Sequence, residues 1–172
     1  MSMRIRWIVG IGIAALALPA VPQSMTWRRV EVTKTGLSLE LPGALERASD
    51  VGETAQYKAK FGSIGVLAVV TTPAERSKAT LATVKANLEK MMNYKTGDGN
   101  ICRLESLKTV DWRGKKVLRG SAIFKSPTGS QLIRIFAYAD GRKTMFLNIG
   151  YASGSQSDYK VASRIDQSVR IR

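Results

Sequence analysis

The sequence predicts an α+β fold in which an antiparallel sheet is flanked by helices. Runs of alternating apolar and polar residues, typical of strands, are separated by turn signals such as Pro42 with Gly43 and Asp140 with Gly141. Two other stretches repeat their apolar residues at helical spacing, with several strand-like runs between them. Strands and helices segregated in this way favour an α+β architecture, and 172 residues suffice for one core.

The N-terminal segment, residues 1–24, has the pattern of a secretory signal peptide. Two arginines precede an uncharged apolar run at residues 7–21, which is shorter than the roughly 20 residues that a membrane-spanning helix needs. We expect cleavage after Ala20 or Ser24, which leaves residues 25–172 as a single globular domain in the periplasm or secreted. The alternative is that residues 7–21 stay in the inner membrane as an anchor.

In the first part of the domain, the residue pattern predicts two strands. A weak strand begins near Trp27. It is followed by a run in which Leu37, Leu39 and Leu41 share one face, until Pro42 ends the strand.

The stretch 54–72 predicts a hairpin with its turn at Gly62 and Ser63. The return strand, from Ile64 to Thr72, is apolar on both faces. This pattern predicts a central strand that is covered on both sides.

The next segment switches to helical spacing, with Ser77 as the predicted N-cap. Apolar residues recur on one face of this helix: Leu81, Val84, Leu88 and Met91. The methionine pair Met91 and Met92 at its end has two interpretations, a binding groove or ordinary core contact, and we favour core contact.

Four further strand-like runs predict an antiparallel meander, at residues 101–112, 115–125, 130–139 and 143–152. The stretch 155–169 returns to helical spacing, with apolar residues aligned at Tyr159, Ala162, Ile165 and Val169.

Composition excludes several kinds of chemistry. The sequence contains no histidine and one cysteine, Cys102, so it lacks histidine-based catalytic triads, histidine-ligated zinc and an internal disulfide. We expect Cys102 to be a small buried residue. The motif at Asp98 and Asn100 predicts a turn and not a calcium loop, and no phosphate-binding glycine loop is present. The sequence therefore predicts no catalytic, cofactor-binding or metal-binding residue.

The most concentrated charged feature is the segment DWRGKKVLR. Its members form a candidate contact for an anion or a partner, beside an aromatic ring: Trp112, Arg113, Lys115, Lys116 and Arg119. The alternative, which we favour, is a solvated hairpin turn whose tryptophan packs on the rim of the core.

The order of these elements resembles the PsbP-like fold class, and within it the small DcrB-type bacterial periplasmic proteins, from Gly36 to Arg172. The motifs that carry the resemblance are the opening GLSLELPG, the spacing of Gly114 and Gly120, the strand that ends in Tyr151, and the closing SVRI. The chain departs from these proteins in lacking a lipid-attachment cysteine and in having valine where their closing phenylalanine lies. The resemblance implies a PsbP-like α/β/α sandwich and a binding or assembly module without catalysis, and it carries over no functional residue.

These observations predict an exported, non-catalytic binding or assembly factor of the cell envelope. The net charge of +14 has two interpretations. The one we favour is the solubility of an exported basic protein, and the other is a partner in the form of an acidic envelope protein or an anionic lipid or glycan surface, with no nucleic acid. Two alternatives remain: a histidine-free hydrolase of envelope substrates that acts through carboxylates or a serine, and a membrane-anchored structural protein.

Overall fold

The computed structural model describes most of the chain after the predicted signal segment. The described ranges are 26–32, 36–51, 54–72 and 80–172, without the side chains of residues 49 and 51. The predicted signal peptide or anchor and the predicted N-cap Ser77 lie outside the described residues. Within these ranges, no helix is both long enough and apolar enough to cross a membrane.

Strands dominate the described residues. In chain order the elements are β1 (Arg28–Val32), β2 (Leu37–Leu41), β3 (Glu46–Val51), β4 (Thr54–Phe61), β5 (Ile64–Thr71), α1 (Leu81–Met91), β6 (Tyr94–Lys95), β7 (Ile101–Trp112), β8 (Lys115–Ser126), β9 (Gly129–Ala139), β10 (Thr144–Ala152), α2 (Gln156–Ser168) and β11 (Arg170–Ile171). The predicted turns each join two strands that are consecutive in the chain. Residues 96–100 form one of them, closed by a hydrogen bond from the Gly99 amide to the Thr96 carbonyl.

The strands form two antiparallel sheets. The large sheet has eight strands in the order β3-β4-β5-β10-β9-β8-β7-β6, and the small sheet has three in the order β1-β2-β11. Every pairing is antiparallel, including the four-stranded meander from β7 to β10. The α+β class that the sequence predicts is therefore confirmed.

One face of the large sheet, here called the α2 face, is closed by α2 and by the small sheet. Leu37, Leu39 and Leu41 of β2 are fully buried there, as predicted. Leu147 of β10 and Ile165 of α2 belong to the same core. The interlocked layers form the main apolar core, whose burial drives folding.

The opposite face, here called the α1 face, is covered only in part. Helix α1 begins after Thr80, whose side chain accepts a hydrogen bond from the Thr83 amide, and packs on β7, β8 and β9. Its buried residues Val84 and Leu88 form a second core with Leu118 and Ile135. Among the described elements, α1 makes its main contacts with β7, β8 and β9 and not with β4, β5 or β10.

Two details differ from the sequence expectations. Strand β5 is central and its α2 face is closed, but on its other face Leu67 is partly exposed while Val69 is buried. Tyr159 is 46% exposed and lies at the side of α2, whereas Ala162 and Ile165 are buried as predicted. The tyrosine ring instead contacts the ring of Tyr151, at a centroid distance of 6.3 Å.

Candidate functional site

The predicted basic cluster lies at the turn between β7 and β8. Trp112 pairs with Lys115, so Arg113 and Gly114 form a two-residue loop. Both have positive φ, 53° and 79°, as a type I′ hairpin turn requires. The turn therefore lies at one end of the large sheet, where the Lys115 and Lys116 side chains point to opposite faces of β8.

Two members of this cluster are part of the framework. The Trp112 indole donates a hydrogen bond of 3.0 Å to the carbonyl of Val169. The Arg119 guanidinium lies over the Trp112 ring, 4.3 Å from its centroid, and forms an ion pair with Asp166 of α2, which is 2% exposed. Trp112 and Arg119 thus hold α2 against the sheet.

The other three members also contact protein groups. Arg113 donates a hydrogen bond of 3.2 Å to the carbonyl of Gln167. The Lys116 ammonium lies 2.6 Å from a carboxylate oxygen of Asp111. The Lys115 ammonium lies 5.6 Å from the centre of the Tyr138 ring.

The structure therefore agrees with a solvated turn whose tryptophan packs on the core rim. That the cluster contacts an anion stays a prediction.

A second candidate site was not predicted: an open groove of about 530 Å³ on the α1 face. It crosses β4, β5, β10 and β9 and ends against the last turn of α1. Its main apolar lining residues are Leu67, Val69, Met91, Met92, Ile133 and Phe146. Its volume and apolar lining are typical of sites for small ligands.

The floor of the groove contains two glycines side by side. Gly65 of β5 and Gly150 of β10 are direct partners in the sheet register, and both line the groove. A Cβ atom added at Gly150 would meet no heavy atom closer than 3.5 Å, so the site has room for a side chain that the sequence does not supply. Glycine within a strand often marks a place where a ligand approaches the backbone.

A polar side chain lies in this apolar floor. Asn148 of β10 is 6% exposed, and its Oδ1 atom has no hydrogen-bond partner among the described residues. Buried polar atoms without partners are rare in folded proteins. Because Oδ1 is shielded from solvent, a ligand in the groove could complete its hydrogen bond once the Asn148 amide turns toward the groove.

The rim near β4 is basic. Lys58 and Lys60 line the groove from alternate positions of β4, so both point to the α1 face. The described residues form no ion pair or hydrogen bond with either ammonium group. Glu46, opposite Lys58 in the register, is the only carboxylate among the described lining residues.

The wall formed by β6 and β7 is uncharged at neutral pH. Cys102 and Tyr94 face each other across this strand pair, and both line the groove. Burial raises the pKa of the Cys102 thiol, and burial together with the neighbouring thiol raises the pKa of Tyr94. The prediction that Cys102 is buried is confirmed.

Sequence reasoning missed the groove, although three signals for it were present. Met91 and Met92 end the helix, Gly65 and Gly150 interrupt two apolar strands, and Asn148 stands between apolar neighbours. For the methionine pair, the favoured core contact is confirmed at Met92, which is buried in the second core, and both residues also line the groove.

Comparison with known proteins identifies the fold. No protein-family model and no curated protein matches the sequence. Among solved structures, cyanobacterial PsbP (CyanoP) from Synechocystis sp. PCC 6803 matches 92% of this chain and 100% of its own, with 12% identity and a TM-score of 0.63.

Two further structures are less similar. PA94 from Pseudomonas aeruginosa, described as a protein of unknown function and putative regulator, has 14% identity and a TM-score of 0.47, covering 85% of this chain and 97% of its own. A Bacteroides thetaiotaomicron protein has 11% identity and a TM-score of 0.49, and the match covers 80% of this chain and 45% of that protein's own chain. The likeness to CyanoP shows the fold alone, and on it the chain is an α+β protein with the PsbP-like fold.

Proposed function

We propose that the protein is an exported, non-catalytic binding protein of the cell envelope, and that the groove on the α1 face is its binding site. The observation that carries the proposal is the buried Oδ1 atom of Asn148, which lacks a partner on the floor of an open, mostly apolar groove. A small ligand with an apolar body fits such a site.

The chemistry of the lining favours binding over hydrolysis. A hydrolase that acts through paired carboxylates needs two acidic groups, and Glu46 is the only one among the described lining residues. None of these residues is serine or threonine. Cys102 is a poor nucleophile, because burial raises its pKa and the thiolate is the reactive form.

Export is the second part of the proposal, and it rests on residues 1–24. Mass spectrometry of the protein purified from its native host tests it directly. An N-terminus at Val21 or Met25 is expected. A chain that retains residues 7–21 in the membrane fraction would favour the anchored alternative.

The predicted anionic partner surface remains part of the proposal for the β7–β8 turn. Arg113 and Lys116 are exposed there, and they carry charge at the tip of the hairpin. Replacing Arg113, Lys115 and Lys116 by glutamine should weaken salt-sensitive binding to anionic vesicles. Arg119 is left intact in this test because its ion pair with Asp166 supports the fold.

Binding of Nile red, an uncharged dye whose fluorescence rises in apolar surroundings, tests the groove. We expect saturable binding by the wild type, and its loss in Gly150→Leu, because the leucine side chain fills the groove. Gly97→Leu is the matched control, since Gly97 lies in the 96–100 turn with nothing within 4 Å of an added Cβ. Equal binding by wild type and Gly150→Leu, with both folded by circular dichroism, would overturn the proposal.

A further inference from the structure

We propose that the groove binds a single-chain amphipathic anion whose headgroup also carries an O–H or N–H donor, as in an N-acyl amino acid or a hydroxy fatty acid. This inference rests on the proposed function and deepens it by naming the class of ligand. Three features of the groove define the ligand: a basic rim, a buried acceptor and an apolar channel.

The basic rim of the groove is the reason that we assign a negative charge to the headgroup of the ligand. Lys58 and Lys60 are two positions apart in strand β4, which is about 7 Å along the strand. Their flexible stems allow both ammonium groups to approach one carboxylate or phosphate. Neither is neutralised by an ion pair within the described part of the chain, and Glu46 supplies the single opposing charge among the described lining residues. The described residues of the rim therefore carry an excess positive charge that an anionic headgroup complements.

The buried acceptor, Oδ1 of Asn148, is the reason that we assign an O–H or N–H donor to the ligand. Asn148 lies in the same lateral row of the sheet as Lys58, with Leu67 of β5 between them. Two strand spacings amount to about 10 Å between their backbones. A headgroup held by Lys58 thus brings its next few atoms over Asn148. An N–H or O–H at that place, with the Asn148 amide turned toward the groove, gives Oδ1 the partner that the described residues do not provide.

The apolar part of the groove is the reason that we assign one extended apolar chain to the ligand. The apolar lining includes Val69 and Phe146, and it also includes Met91 and Met92 at the end of α1. Beside it, the paired glycines Gly65 and Gly150 leave the floor bare. Methionine side chains adapt to chains of different length because they are unbranched and flexible. The groove volume of about 530 Å³ suits a ligand of this size.

Competition against bound Nile red tests the ligand class. The probes are N-lauroylglycine, its methyl ester and lauric acid, each below its micelle concentration. The first has charge and donor, the second only the donor, and the third only the charge. We expect N-lauroylglycine to bind on the order of tenfold more tightly than either of the other two probes. Such a difference in affinity corresponds to the binding free energy of one hydrogen bond or one ion pair.

Two variants assign the effect to its residues. Lys58→Gln with Lys60→Gln should remove the preference for the acid over the ester, whereas Lys108→Gln with Lys125→Gln, which removes the same charge outside the groove, should leave it unchanged. Asn148→Leu should remove the preference for N-lauroylglycine over lauric acid.

The outcomes separate this inference from the proposed function. One outcome is that Nile red binds to the wild type and not to Gly150→Leu while N-lauroylglycine and its methyl ester compete equally. In that case the groove is a binding site, but the inference of an anionic ligand is wrong. Competition by an apolar peptide and by none of the lauroyl compounds would also overturn the inference, in favour of a polypeptide partner. Absence of Nile red binding would instead overturn the proposed function.

Discussion

The two faces of the large sheet are built differently. On the α2 face, the small sheet and α2 close the core, and many of its largest side chains are fully buried. On the α1 face, α1 covers β7, β8 and β9, and the groove occupies the area beside it. One face holds the fold together, and the other leaves apolar surface available to a ligand.

The helices are attached in correspondingly different ways. Asp166 of α2 accepts from Arg119 of β8 and from Arg134 of β9, the latter at 3.3 Å. The described ion pair of α1, between Lys85 and Glu89, lies within the helix and is exposed. Helix α2 is therefore tied to the sheet by buried charge as well as packing, while α1 is held by apolar contacts.

Removing one large apolar side chain from each helix should give the greatest contrast. Ile165→Ala should lower the free energy of unfolding by about 4 kcal/mol, because the closed α2 core cannot collapse around the cavity. Leu88→Ala should cost about 2 kcal/mol, since the adjoining groove lets neighbouring side chains relax. Urea unfolding of both variants measures the difference. Equal losses would contradict the contrast between the two faces.

Removing one carboxylate from each helix tests the ionic attachment. Asp166→Ala should cost about 3 kcal/mol, because it leaves two guanidinium groups partly buried without their partner. Their exposure of 21% and 24% keeps the cost from being larger. Glu89→Ala should change stability by less than about 0.5 kcal/mol, since its pair is exposed. A loss for Asp166→Ala no greater than this would show that packing alone fixes α2.

The smallest effect concerns Cys102 on the groove wall. Burial raises its pKa, so the thiol stays protonated and iodoacetamide at pH 8 should react on the order of tenfold more slowly with the native than with the urea-unfolded protein. A pKa raised in the folded state also has a stability consequence. Stability is unaffected below the ordinary thiol pKa and falls as pH rises above it. Rapid alkylation of Cys102 in the native protein, followed by mass spectrometry, would contradict the burial of its thiol.

Patterns of alternation and turn residues predicted most of the fold. The leucines of β2, the hairpin of β4 and β5, the meander and both helices follow from local spacing, which a single sequence displays directly. Strand β3 was missed because its sequence, ERASDV, is polar and does not alternate. It forms an edge strand with a register shift between Arg47 and Ser49, and polar edge strands carry little apolar signal.

The groove could not be predicted from sequence because it depends on distant pairings. Gly65 and Gly150 become neighbours only when β5 pairs with β10. The missing partner of Asn148 is visible only once the surroundings of its side chain are known. Similarly, the ion pair between Arg119 and Asp166 joins residues 47 positions apart, so the sequence displayed the charge of Arg119 without its use.

The small sheet has a consequence for the order of folding. Strand β2 pairs with β11, and the amide of Arg172 donates to the carbonyl of Gly36. Contacts between residues so far apart in sequence form slowly, because closing a long loop costs chain entropy before any pairing compensates for it. The meander from β7 to β10 needs only local turns and should form first. A chain emerging from a ribosome therefore cannot complete its main core until β11 has emerged.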